Sequence, residues 1–349
     1  MRRQNSDPVF DWLAYYAEYD PGRLAAVDLA TQRWLTYGQF DERATRLATA
    51  LRERFGVEHG DRVAFLAHNS TDHFEAMFAC WKLGAIFVPL NWRLSAHEMA
   101  AILDHCEPRV VLHDADLVTL LSLAHLPVVS RPPGRVACEY EQLLSAHEPY
   151  VAMEHVDFDT INLLLYTSGT TGRPKGVIYT HRMTSNIVSH AALHAGIRAG
   201  TRTLTYSPLF HAAGLNALAM PSFHYGSAVF VMRSFDAGEC LAMLTDPALG
   251  ITHTVGVPTT YQLMSQRPEF ASARFPTLEV AAVGAAPVPL LSSNAAMTRS
   301  AQSISCSLGT KAAFTTSTCF GWITALATKP SRRAARVSSR RPSRSSMST

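Results

Sequence analysis

Residues 163–177 read Leu-Leu-Leu-Tyr-Thr-Ser-Gly-Thr-Thr-Gly-Arg-Pro-Lys-Gly-Val, and their types suit the binding of a polyanion. Hydroxyls at Thr167, Ser168, Thr170 and Thr171 are interleaved with Gly169 and Gly172, and Arg173 and Lys175 follow. The glycines let the backbone bend tightly and bring its N–H groups close to phosphate oxygens. The hydroxyls add donors and the two cations neutralise charge, so the run reads as a phosphate cradle. It is not a Walker-type loop, which needs Lys followed directly by Ser or Thr to hold a metal ion. Here Lys175 lies between Pro174 and Gly176.

Such a loop needs a strand before it and a scaffold around it. Short apolar runs of strand length occur at 63–67, 86–90, 110–113, 163–166, 228–232 and 280–283. Between them, Phe40, Ala44, Leu47 and Leu51 recur at helical spacing, as do Phe74, Met77, Phe78 and Trp81. Strands alternating with helices predict an α/β fold of largely parallel sheets covered by helices. A phosphate loop after a central strand fits the rule that ligands bind at the carboxyl ends of such strands. Pro132-Pro133-Gly134 reads as a surface turn, and no internal repeat is found.

The ordered run from Tyr166 to Gly176 resembles the signature loop of the adenylate-forming (AMP-binding) superfamily, in its acyl-CoA synthetase branch. Further segments resemble that family in its own order. They are Trp34 to Phe40, Gly60 to Leu66, Gly84 to Asn91, Pro208-Leu209-Phe210-His211-Ala212-Ala213-Gly214, Val255 to Thr259, and Gly284-Ala285-Ala286-Pro287. The resemblance implies the family's large N-terminal domain, with stacked sheets covered by helices, here incomplete. It implies an ATP-dependent acid–thiol ligase, which joins a carboxylate to ATP and then passes the acyl group to coenzyme A. By the same resemblance, Thr167, Ser168, Gly169, Thr170, Thr171, Gly172, Arg173 and Lys175 hold the ATP phosphates. His211 is the catalytic candidate beside the reacting carboxylate. Gly284, Ala285, Ala286 and Pro287 line the adenine and acyl pocket. The substrate would be a fatty or aryl acid, since the Phe-His-Ala-Ala-Gly and Gly-Val-Pro-Thr segments are closest to those branches.

Other family parts have no counterpart. The Tyr-Gly-x-Thr-Glu motif, whose Glu helps hold Mg²⁺, is absent. So are the ribose-gripping Asp and the catalytic Lys of the small C-terminal domain; Lys311 and Lys329 stand in unrelated contexts. The family uses Mg²⁺, but no residue here is assigned as a metal ligand. This chain is therefore expected to be impaired or inactive.

Composition breaks where the resemblance ends. Glu279 is the last acidic residue, and nine of the 31 Lys and Arg follow it. Residues 1–279 thus hold 22 basic against 28 acidic residues, a net of −6, while the whole chain is +3. At the acid frequency of the body, seventy residues without Asp or Glu would arise roughly once in a thousand trials. Residues 1–291 are read as a partial AMP-binding N-terminal domain and 292–349 as a Ser/Arg-rich tail, expected to be disordered. Three origins fit the tail: a basic arm binding nucleic acid, a solvated extension, or out-of-frame translation. The abrupt loss of the family pattern in mid-domain favours the third, and a basic patch alone is a weak nucleic-acid footprint. A non-catalytic nucleotide-binding or interaction protein with a basic, nucleic-acid-binding tail is the alternative function.

The remaining features bound the class. At 47% hydrophobic and 17% charged, the composition is that of a globular enzyme rather than a disordered or fibrous chain. The six cysteines have no CxxC or dense framework spacing, which predicts reduced, buried thiols and a cytoplasmic protein. The N-terminus lacks a signal-peptide apolar stretch, and no run is long enough to span a membrane. His190 and His194 sit four apart without a third ligand at useful spacing. His105 and Cys106 lack the pattern of a thiol nucleophile. Asn69-Ser70-Thr71 would accept a glycan only in a secreted protein.

Overall fold

The computed structural model describes residues 11–122, 126–131, 138–149, 156–167 and 174–284, with two short strands at 304–305 and 326–327. In chain order the elements begin with α1 (Trp12–Tyr19), β1 (Leu24–Asp28), β2 (Arg33–Thr36), α2 (Tyr37–Phe55), β3 (Arg62–Leu66), α3 (Thr71–Lys82), β4 (Ile86–Pro89) and α4 (Ala96–Cys106). There follow β5 (Val110–His113), β6 (Val128–Ser130), α5 (Glu139–Ser145), β7 (Ile161–Thr167), β8 (Lys175–Thr180), α6 (His181–Ala195) and β9 (Arg202–Thr205). The series continues with α7 (Ala212–Asn216), α8 (Ala219–His224), β10 (Ala228–Val231), α9 (Ala237–Thr245), β11 (His253–Gly256), α10 (Pro258–Ser265) and β12 (Val280–Val283). The two short strands are β13 (Ile304–Ser305) and β14 (Leu326–Ala327).

These strands form two sheets. One runs β6-β5-β3-β4-β7-β8, the other β13-β14-β12-β11-β9-β10-β1-β2. Pairing is parallel except at β1–β2, β7–β8 and the contacts of β14. Alternation along each strand sets the layers. Val63 and Phe65 of β3, with Val229 and Val231 of β10, face one shared core that includes Phe40, Leu47, Phe74 and Phe78. The α2 and α3 helices are therefore packed between the sheets. Ala64 and Leu66 face the outer layer with α4, and Ala228 and Phe230 face α9 and α10. Both sheets are covered on both faces, which explains their continuous apolar runs.

The expected helices and strands are all present; strand boundaries agree within two residues, while α2 and α3 begin three residues before the apolar spacing and α2 ends four residues beyond it. Thr36 ends β2 and caps α2: its hydroxyl accepts from Gln39 N–H, while the Gln39 side chain accepts from Thr36 N–H. Gly56 closes that helix in the left-handed conformation, at φ 61°. Inside the middle layer, Lys82 of α3 donates to Asp11 at 2.6 Å and to Asp41 of α2 at 2.7 Å, and all three are buried. Arg43 pairs with Glu75 and Glu141, and Arg131 with Asp72 and Asp114. Cys80, Cys106, Cys138 and Cys240 are free and buried, as expected. Cys306 and Cys319, the turn at 132–134 and the tail apart from β13 and β14 lie outside the described residues.

Candidate functional site

The signature loop hangs from a hairpin. Strand β7 leaves the sheet at Thr167 and β8 returns at Lys175, and these two residues are directly paired. Both are exposed. Ser168, Gly169, Thr170, Thr171, Gly172 and Arg173 lie outside the described residues. One register step inward, Tyr166 faces Gly176. A methyl at Gly176 would come within 2.8 Å of the Leu164 side chain and 3.4 Å of the Tyr166 ring, so a larger residue would have to displace the Leu164 side chain. The Tyr166 hydroxyl lies 2.6 Å from Nδ1 of His105 at the end of α4, which ties the loop stem to a helix. Beside it, burial pushes the Cys106 thiol up to about 11, so it is not a nucleophile at neutral pH.

His211 sits where the chain leaves β9 and enters α7. It occupies the N-cap of α7, and its side chain makes no cap hydrogen bond. Its N–H donates to the Pro208 carbonyl at 3.1 Å, closing a tight turn. A methyl at Gly214 would overlap that same carbonyl, so only glycine lets α7 pack on the turn. The ring packs against Phe210, with centroids 4.6 Å apart, and Arg93 lies over Phe210 and Trp92. Partial burial, and then the nearby Arg93 charge, lower the His211 pKa, so the ring is neutral at pH 7.

Gly284 follows β12 and donates to the Gly256 carbonyl at 3.1 Å. Gly256 ends β11 against the hydroxyls of Tyr206 and Thr260, where a methyl would collide. Thr167, His211, Gly256 and Gly284 all lie at carboxyl ends of strands or just beyond, as the α/β rule requires. Ala285, Ala286 and Pro287 lie outside the described residues. Among the described residues no hydrogen bond joins the hairpin stem to His211 or Gly284. The two halves of the site meet instead through the turn 67–70 between β3 and α3.

That turn was not anticipated from sequence. His68 N–H donates to Asp114 at 2.9 Å, and its Nδ1 lies 3.0 Å from Arg233, just beyond β10 of the other sheet. Asn69 bonds to Ser207 and Leu209, just beyond β9. Thr71 N–H donates to Asp28 at the end of β1. Asn69 is buried with both amide atoms engaged, a poor glycan acceptor.

The group His68, Asp114 and Asp116 brings possible metal-binding atoms within 4.8 Å of one another. Asp114 already accepts from Arg131 and Arg233, and Asp116 from Arg233. A hard cation such as Mg²⁺ prefers an all-oxygen shell with its own waters. These residues, neutralised by arginines and offering a ring nitrogen, do not fit it. His190 and His194 are both exposed on α6.

The family model of the AMP-binding enzyme matches residues 13–307. The chain belongs to that family. It is 36% identical over 257 residues to feruloyl-CoA synthase of an Amycolatopsis species, covering 73% of this chain and 50% of that protein. It is 35% identical over 288 residues to indoleacetate–CoA ligase of Aromatoleum aromaticum, covering 80% of this chain and 55% of the relative. The inhibitor-bound crystal structure of the N-terminal domain of FACL13 from Mycobacterium tuberculosis superposes with a TM-score of 0.70 at 29% identity, covering 81% of this chain and 71% of that one. The chain thus spans about half the length of the curated relatives it matches. No helix among the described residues is long and apolar enough to cross a membrane.

Proposed function

We propose that this chain is the nucleotide- and acid-binding body of an acid–thiol ligase of acyl-CoA synthetase type, acting in the cytoplasm. The observation that carries the reading is the β7–β8 hairpin, which opens the signature loop at a strand's carboxyl end with Lys175 opposite Thr167. In the reaction, a carboxylate oxygen attacks the α-phosphorus of ATP, the bond to the bridging oxygen breaks, and pyrophosphate leaves. An anion attacking a polyanion needs charge neutralisation and alignment above all. Lys175 and Arg173 supply charge, and the hydroxyls and N–H groups of 167–172 supply donors. Neutral His211 orients the carboxylate by one hydrogen bond without competing for the phosphates. The segment 284–287 packs against the adenine and the acyl chain. The acyl-adenylate then loses AMP to the thiol of coenzyme A. The relatives named for aryl acids, feruloyl-CoA synthase and indoleacetate–CoA ligase, favour an aryl acid over a fatty acid.

The chain itself turns over poorly on this reading. The Glu expected to hold Mg²⁺ and the ribose-binding Asp have no counterpart in residues 280–349, which carry no acid, and no step is assigned to the metal. The acid-free stretch after Glu279 is read as out-of-frame translation. Titration calorimetry with ATP tests the assignment of the loop. Lys175→Ala should weaken binding about tenfold or more, the worth of one charge-assisted contact. Unchanged affinity would remove the loop from the site. ATP–pyrophosphate exchange with ferulate, indoleacetate or a long-chain fatty acid should be absent, and robust exchange would overturn the impairment. Translating the coding DNA from codon 280 in its other frames should reveal Tyr-Gly-x-Thr-Glu.

A further inference from the structure

We infer that Asn69 is a positioning residue of the site: its side-chain amide holds the turn that presents His211, in the place where a neighbouring strand would otherwise pair. Nδ2 donates to the Ser207 carbonyl at 3.0 Å, and Oδ1 accepts from the Leu209 N–H at 3.0 Å. Bonding the carbonyl of one residue and the N–H of the second residue beyond it is the pattern of a β-bridge partner. The orientation is unambiguous, because the flipped amide would face N–H with NH₂ and carbonyl with carbonyl.

The segment it holds has left the sheet. Strand β9 ends at Thr205, and among the described residues Ser207 and Leu209 take part in no strand ladder. Leu209 is fully buried in the core shared by the two sheets, where unpaired backbone groups are costly. From this clamp the geometry passes directly to His211, through the bond from His211 N–H to the Pro208 carbonyl and the packing of Gly214 on that carbonyl. Asparagine alone suits the task. Aspartate cannot donate to Ser207, and glutamine moves the same groups outward by a methylene. Asn69 is only 6% exposed, and its backbone is set by neighbours that reach the other sheet, His68 to Arg233 and Thr71 to Asp28. The clamp thus ties the half of the site on one sheet to the turn of the other.

The significance for catalysis rests on the proposed role of His211, but the test uses no substrate, so failure of either idea is seen separately. The full chain is labelled with ¹⁵N at leucine and histidine. Amide exchange at Leu209 and the pH titration of the His211 ring are followed by NMR in Asn69→Ala, Asn69→Gln and Thr184→Ala. The last removes a buried hydroxyl on α6 that bonds to Asn162 and serves as a merely structural lesion. In Asn69→Ala, exchange at Leu209 should accelerate about tenfold or more, the loss of one hydrogen bond. The His211 midpoint should rise toward the free value of about 6.5 as the ring loses its packing. Thr184→Ala should leave both unchanged. If Asn69→Ala fails to fold, Asn69→Gln is scored in the same way. Unaltered exchange and titration in a folded Asn69 variant, or equal changes in Thr184→Ala, would overturn the inference.

Discussion

Lys82 and Lys175 belong to the same chain but to opposite kinds of region. Lys82 ends α3 between the two sheets, 2% exposed, its ammonium held by Asp11 and Asp41. Lys175 begins β8 on the edge of a sheet and is open to solvent. Burying an ammonium is costly unless its partners and geometry are nearly complete, so Lys82 is committed to the fold. Its pKa is raised: burial opposes the charged form, but Asp11 and Asp41 more than offset it. A lysine meant to meet a phosphate must stay free until the phosphate arrives. The middle layer therefore collects matched charges, while among the described residues Lys175 of the hairpin forms no ion pair. The same residue type is thus spent on the fold in the middle layer and left open to solvent at the hairpin.

This contrast can be broken at several points. The largest effect is expected from Lys82→Met, which strands two buried carboxylates and should destabilise the protein by about 3–5 kcal/mol in urea denaturation. A loss under about 1 kcal/mol would show that the triad is solvated and that the contrast is false. Next come the buried histidines. Burial lowers His73 to about 3, helped by Arg131, and lowers His181 to about 4. Both are neutral in the fold, whereas the unfolded chain protonates them near 6.5. Stability should therefore fall as pH drops below about 6.5, by about 1.4 kcal/mol per pH unit for each, until the folded-state value is reached. Denaturation midpoints at pH 7, 6 and 5 measure the slope, and His181→Gln should reduce it. A pH-independent midpoint over that range would refute neutral burial.

A smaller loss is expected at Gly214. Gly214→Ala pushes α7 off the Pro208 carbonyl and should cost about 1–3 kcal/mol, with His211 displaced. Thermal melting and the His211 titration together check it. Smallest of all, Lys175→Ala should change stability by less than about 0.5 kcal/mol while weakening ATP. A large stability loss there would mean that Lys175 is structural, and the comparison between the two lysines would collapse.

Much of the scaffold was legible in the residues. The Phe40–Leu51 and Phe74–Trp81 spacings lie on α2 and α3, and the apolar runs at 110–113 and 280–283 are β5 and β12 without adjustment. Such patterns are local, and burial on both faces reinforces them. The apolar runs do not mark β1, β6, β8, β9 or β11. In β8, Gly176 and exposed polar residues obscure the alternation, and its pairing with β7 supplies what its composition does not. The α1 helix and Asp11 went unread for the same reason that the ionic triad did. Asp11 and Lys82 are 71 positions apart, and no period links them.

The site divides in the same way. The order of hydroxyls, glycines and cations between Tyr166 and Gly176 is a local property, and the sequence by itself determined it. The sequence also marks His211 and Gly284 as candidates. Only the tertiary structure decided how they are held. Asn69 acts 138 residues away on Ser207, and His68 acts 165 residues away on Arg233. An amide or an imidazole in a short turn carries no mark of its distant partner. Its role exists only once two sheets, each stable through its own apolar pattern, bring their strand ends together.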